Sequence, residues 1–117
     1  MKNRLLLVTL AALVLAGCAS DPAPNAQLQL TEKAVAQAAS VGADNQLVEM
    51  KLAQEKLALA EKNMAEQDYK RARFLAEQAE LDARLAEAKV LVAKSEAQLA
   101  EMKLKIASLR RQLGGQP

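Results

Sequence analysis

The sequence has no histidine and no tryptophan, and only one cysteine, one phenylalanine and one tyrosine among its 117 residues. Each absence excludes something. Without histidine and with a single thiol, the chain cannot assemble a His/Cys metal site, and it lacks the commonest general base. One cysteine allows no internal disulfide, so the fold must hold without staples. Two ring-bearing residues are too few for base-stacking platforms or a deep aromatic core. Gly-rich phosphate loops are missing. Acid pairs such as Glu77 with Glu80 read as charges on a solvated helix face, not a catalytic dyad, and isolated helical carboxylates are a weak basis for a calcium site. The inventory argues against an enzyme and against a resident cofactor or metal.

Charge is nearly balanced. The formal excess of +2 comes from 16 basic and 14 acidic residues, and two of the basic ones, Lys2 and Arg4, sit in an opening segment that reads as removable, leaving 14 against 14. A global basic footprint for nucleic acid is therefore missing, and nucleic acid is not an expected partner.

What the sequence does have is helix. From Asp68 to Leu113 there is no Gly or Pro. Ala72, Ala76, Ala79, Ala83, Ala86, Val90, Ala93, Ala97, Ala100, Leu104 and Ala107 recur at alternating spacings of four and three, the period of a close-packed helix seam. A second stripe, Leu81, Leu85, Ala88, Val92, Ser95, Leu99, Met102, Ile106, Leu109 and Leu113, keeps the same spacing on the opposite side, about 200° around the helix. Such a helix would be about 69 Å long, too long for the rest of the chain to cover. Alanine seams bury little area per residue, so stability must come from helix length, close backbone approach or a second copy of the chain.

The chain begins with Lys2 and Arg4 and an apolar run from Leu5 to Ala16, too short to span a bilayer. Residues 1–17 read as an export signal. Leu15, Ala16 and Gly17 followed by Cys18 resemble the lipobox of bacterial lipoproteins. In that chemistry the thiol of Cys18 takes a diacylglycerol, the signal is cut before it, and the new amine is acylated. Ala19 and Ser20 follow, and not an Asp; by resemblance to enterobacterial lipoproteins this favours the outer membrane, facing the periplasm, over the inner membrane. Residues 18–25 read as the lipidated Cys and a Pro-containing tether.

The body is expected to be all-α over residues 26–113: a short N-terminal helix, then an antiparallel helical hairpin with a long, coiled-coil-like C-terminal helix. The first helix, about 26–41, carries Leu30, Ala34, Ala38 and Val41 on one face and ends at Gly42. The second, about 45–66, starts with Asp44 or Asn45 as cap and carries Met50, Ala53, Leu57, Ala60 and Met64 as core. The third spans about 68–113. No Gly or Pro forces a break between Glu66 and Tyr69, but polar Gln67, Arg71 and Gln78 interrupt the apolar phase, and Asp68 can cap a new helix. Glu66 with Lys70, Glu80 with Arg84, and Glu101 with Lys105 are spaced for weak helix-stabilising pairs. Residues 114–117 read as a flexible tail.

Several segments together look like a known group: the lipobox, Val41-Gly42-Ala43, Lys56-Leu57-Ala58-Leu59-Ala60, Asp68-Tyr69 with Ala72, and Leu75-Ala76-Glu77-Gln78-Ala79 with Asp82-Ala83. The chain resembles the bacterial lipoproteins with domain of unknown function 4398, most firmly from Leu57 to Ala88. The resemblance implies a cell-envelope location and an envelope-organising role, with no assigned activity.

Two candidate contact features follow from the helix pattern. The distal seam, Val90, Ala93, Ala97, Ala100, Leu104 and Ala107, is left bare by a shorter second helix and suits self-association or another envelope protein. Lys103, Lys105, Arg110 and Arg111 form a basic end. It complements the helix C-terminal dipole, or meets an acidic partner such as peptidoglycan carboxylates.

The lipobox makes the first test. The mature protein is expected to begin at acylated Cys18, as read by intact-mass spectrometry, and a Cys18→Ala variant should leave the membrane fraction. A different mature N-terminus, or unchanged fractionation of the variant, would contradict the lipid anchor.

Overall fold

The computed structural model describes residues 21–114, which form three helices: α1, Asn25–Ser40; α2, Val48–Ala65; and α3, Tyr69–Gln112. The protein is all-α, with α2 and α3 forming an antiparallel hairpin, and the described residues contain no strand. The export segment, Leu15, Ala16, Gly17 and Cys18 lie outside the described residues, as do residues 115–117 of the expected tail.

The start of α1 follows from Pro24. Its ring restricts φ, here to −82°, and its carbonyl accepts the Leu28 N–H at 3.0 Å as the first helical bond. Asn25, expected in the tether, is thus already helical, and Pro24 is buried. The helix ends where Gly42 takes φ +103°. There the Ala43 N–H bonds to Ala38 O (2.9 Å) and the Gly42 N–H to Ala39 O (3.0 Å), a paired closure that a left-handed residue makes available. The next helix begins three residues later than the sequence suggested. The Asp44 carboxylate accepts the Gln46 N–H at 2.9 Å and its carbonyl accepts the Leu47 N–H, so Asp44 closes a turn on itself, and Leu47 stands at the N-cap without a side-chain bond.

The corner between α2 and α3 repeats the closure of α1 without glycine. Gln67 has φ 62°, its N–H bonds to Met64 O (3.1 Å), and the Asp68 N–H reaches Asn63 O (2.9 Å). Asp68 then serves the following helix as well, its carboxylate accepting the Arg71 N–H at 3.2 Å. One residue therefore closes one helix and caps the next. The corner also separates Glu66 from Lys70, so the expected pair does not form; Glu66, at the C-cap of α2, meets Lys62 at 4.0 Å.

Packing is organised by the alanines of α3. Ala72, Ala76, Ala79, Ala83 and Ala86 are fully buried, at 0 % exposure. Against them lie Ala34, Ala38, Met50 and Ala53 in one cluster and Leu28 and Ala60 in another. Met50 and Thr31 are the largest fully buried side chains. Leu57 and Met64 pack only at the margin, and Asn63 is buried beside them, its amide donating to Leu59 O at 2.7 Å. On α1 the buried face is Leu28, Thr31, Ala34 and Ala38; Leu30, expected inside, is 43 % exposed, because the inward face is set by the positions one turn either side of Thr31. The Thr31 hydroxyl lies 2.9 Å from both Gln27 O in its own turn and Ala76 O on α3, so a polar side chain is tolerated at the centre of the contact. Among the described residues every buried side-chain polar atom has a partner.

The seam carries a direct test. Ala79→Leu inserts three carbons where α1 and α2 approach α3 and should cost about 1–3 kcal/mol or more, whereas Ala100→Leu, at an exposed position of the same seam, should leave the denaturation midpoint near that of the parent. Equal effects of the two in chemical denaturation would contradict a seam that is packed in one half and bare in the other.

Candidate interaction surface

Side-chain bonds fix how far the body extends along α3. From α2, Lys56 pairs with Asp82 at 2.6 Å, and Glu49 pairs with Lys89. From α1, Gln27 donates to Glu80 (2.8 Å) and Gln37 to Glu87 (3.3 Å). Lys94 donates to the Val41 carbonyl at 2.6 Å, placing a cation at the C-terminal end of α1 where its exposed carbonyls favour one. At the other end Arg73 donates to Pro22 O at 3.3 Å. α1 therefore runs parallel to α3, and the described chain enters beside the 66–69 corner.

Among the described residues, nothing packs on α3 beyond Val90 except where Lys94 reaches the Val41 carbonyl. Residues 91–112 are exposed except half-buried Ser108, an overhang of about 33 Å. Of the sequence-derived seam, Val90 packs against the end of the body, while Ala93, Ala97, Ala100, Leu104 and Ala107 are all exposed. Lys103, Lys105, Arg110 and Arg111 are exposed on the same overhang; Lys105 pairs with Glu101 at 2.6 Å, and Arg110 and Arg111 occupy the last turn. The second stripe is bare for its whole length, along the body as well as the overhang: Leu81 is 67 % exposed, Val92 57 % and Ile106 50 %. Phe74, at 57 % exposure, extends it one heptad towards the corner. The sequence had shown both stripes; it had not shown that the body covers only the alanine one.

Among the described residues no group of three or more His, Cys, Asp or Glu could hold a metal, and no helix is long and apolar enough to cross a membrane. The groove between α1 and α3, lined by Leu30, Lys33, Gln37, Arg84 and Glu87, gathers no nucleophile beside a base. What this surface offers is contact: apolar helix faces edged by charge.

The molecule is thus an antiparallel helical hairpin, buttressed by a third helix, with a long bare helix end. The sequence model described as "Domain of unknown function (DUF4398)" matches residues 26–102, and the chain belongs to that family. The crystal structure of a DUF4398 family protein from Pseudomonas aeruginosa PAO1 is similar to it, with 56 % identity and a TM-score of 0.78, covering 80 % of this chain and 97 % of that one. The crystallised relative thus consists almost wholly of the helical body. No curated protein matches. The family match stops at Met102, so the basic end lies beyond it.

Two carboxylates that tie the body together titrate low. The hydrogen bond from Lys89, reinforced by a backbone bond at its own residue, holds Glu49 below the ordinary value of 4.5. The Gln27 amide, and then Arg84, do the same for Glu80. A carboxyl whose pKa is depressed on folding contributes stability that is present above its unfolded value and is lost as pH falls through its folded one. Stability should therefore hold from neutral pH to about 4.5 and decline below it. A Glu49→Gln/Glu80→Gln variant should show a shallower acid-side decline in thermal denaturation; an unchanged slope would contradict the assignment.

Proposed function

We propose that this protein is a lipid-anchored lipoprotein of the outer membrane, facing the periplasm, that acts as a structural or protein-interaction module of the cell envelope. The anchor is the diacylglycerol and N-acyl lipid on Cys18, and contact replaces catalysis. The observation that carries the reading is the uncovered half of α3: a helix end bare on both apolar faces, at the opposite end of the body from Asp21. Two residues, Ala19 and Ser20, separate Cys18 from Asp21, three Cα–Cα steps with a reach of at most about 11 Å, so the lipid is tied to the corner end and the bare helix is held away from it. Large exposed apolar faces on a soluble body mark interaction sites.

The distal seam from Val90 to Ala107 is the surface for self-association or an envelope protein. The basic end favours a second reading, an accessory that positions or activates an envelope enzyme or transport complex, with Lys103, Arg110 and Arg111 meeting acidic groups such as peptidoglycan carboxylates.

Affinity capture with the membrane-anchored protein as bait tests both. Deleting residues 102–117 should abolish capture of the envelope partner without releasing the bait from membranes, and Glu at Lys103, Lys105, Arg110 and Arg111 should weaken capture more at low salt than at high salt. One dominant enzyme among the captured proteins supports the accessory reading. Equal recovery by truncated and intact baits would contradict a role for the overhang.

A further inference from the structure

We infer that the outer stripe of α3 is a docking surface for a second copy of this chain, with the two α3 helices antiparallel and Val92 opposite the partner's Ser95. The stripe is a continuous heptad face. Leu85, Val92, Leu99, Ile106 and Leu113 occupy one core position of the repeat, and Phe74, Leu81, Ala88, Ser95, Met102 and Leu109 the other. Every large apolar member is exposed, from 48 % at Leu85 to 85 % at Leu113. α1 and α2 both pack on the alanine seam across the helix, so nothing in the body obstructs a helix laid along this face.

The flanking charges and the sizes of the core residues choose the orientation. In a parallel pair each residue preceding one core position faces the partner residue five places on. That sets Glu77 against Asp82, Arg84 against Lys89, and Lys105 against Arg110, like against like each time, with no opposite pair to offset them. It also stacks Ala88 on Ala88 and Ser95 on Ser95, leaving two thin layers.

The antiparallel alignment reverses this. With Val92 opposite Ser95, the layers become Phe74 with Leu113, Leu81 with Ile106, Leu85 with Met102, and Ala88 with Leu99, so that each small residue faces a larger one. Two members are polar, Gln78 opposite Leu109 and the small hydroxyl of Ser95 opposite Val92. Glu96 then lies beside the partner's Lys89, and Asp82 beside the partner's Lys103, each twice by symmetry. Lys89 already holds Glu49 and Asp82 already holds Lys56, so these contacts would extend existing pairs into networks. The one like-charged contact, Arg84 with the partner's Lys105, joins two cations that each carry their own acid, Glu80 and Glu101. Sliding the partner by one heptad, to set Val92 against Met102, brings Glu96 onto Glu96 and Lys89 onto Lys103, which favours the stated register.

Two consequences follow. Self-association then falls to the outer stripe, and of the two uses proposed for the distal alanine seam only the envelope protein remains. On the lipoprotein reading, the two anchors sit at opposite ends of the pair, about 70 Å apart, so each bare helix end is held away from its own anchor and comes beside the partner's, and the dimer would lie along a membrane or bridge two surfaces.

Cross-linking in solution tests the pairing without reference to the lipid. It uses the body from residue 18 onward with Cys18→Ser, an extent close to that of the crystallised relative. Leu85→Cys and Met102→Cys are made as separate chains. Under mild oxidation neither alone should give more disulfide-linked dimer than the thiol-free parent, while an equimolar mixture should give the mixed dimer as the main product, because these positions face each other only in the antiparallel register. Leu99→Lys should shift the unlinked body from dimer to monomer in sedimentation equilibrium with its helical circular dichroism retained. Rapid linkage of each variant to itself would show a parallel pair, no linkage in the mixture would show another register, and a parent monomeric at every concentration would show no pair; each result overturns the inference. An acylated mature protein with a monomeric body would overturn the pairing and leave the anchor standing.

Discussion

The structure depends on the closeness that alanine allows. Five alanines of α3, from Ala72 to Ala86, are completely buried, and a methyl group at each is what lets two other helices approach one helix within a chain that has almost no aromatic residues. Each buried methyl contributes little, about 0.8 kcal/mol by area. The body is held instead by many short contacts in register, supplemented by a few bonds between elements: Thr31 to Ala76 O, Lys56 to Asp82, Lys94 to Val41 O. Such an arrangement tolerates neither bulk nor slippage, which is why the fully buried positions of α3 are all alanine.

That same division explains the shape. A seam works only where something lies on it, and α2, at 18 residues, runs beside less than half of the 44-residue α3. The corner decides where the covered half begins. By placing Gln67 in the left-handed region and using Asp68 twice, the chain reverses direction without glycine or proline. Residues 91–112 are then helix held by their own backbone bonds, by the Lys94 bond to Val41 O and by pairs such as Glu101 with Lys105.

Much of this was legible in the sequence because it is periodic. The long helix, its two stripes, Gly42 as a terminator and Asp68 as a cap follow from spacing and residue chemistry alone. Three things were not. Leu30 has the hydrophobicity of a core residue and the wrong phase, and only the position of α3 shows that Thr31 points inward. Asp44 is as good a helix cap as Asp68 by composition, yet it closes a local turn, a competition that short polar side chains always offer the backbone. The choice between the two stripes was also hidden: both repeat every seven residues, and only the third dimension shows that the leucines, not the alanines, remain uncovered along the body. The residues before Asp21 that resemble a lipobox lie outside the described structure, and the resemblance rests on sequence alone.

A protein built this way is half of a packing arrangement and half of an invitation to one. Its surface is apolar helix faces and placed charge. The central claim, that one continuous seam is packed up to Val90 and bare beyond it, is tested most directly by amide hydrogen exchange along α3 in a chain kept monomeric by dilution. Amides from Ala72 to Val90 should exchange only through global unfolding, and those from Ala97 to Gln112 orders of magnitude faster, with the change falling within one or two turns after Val90. Uniform protection along all of α3 in the monomer would contradict the account.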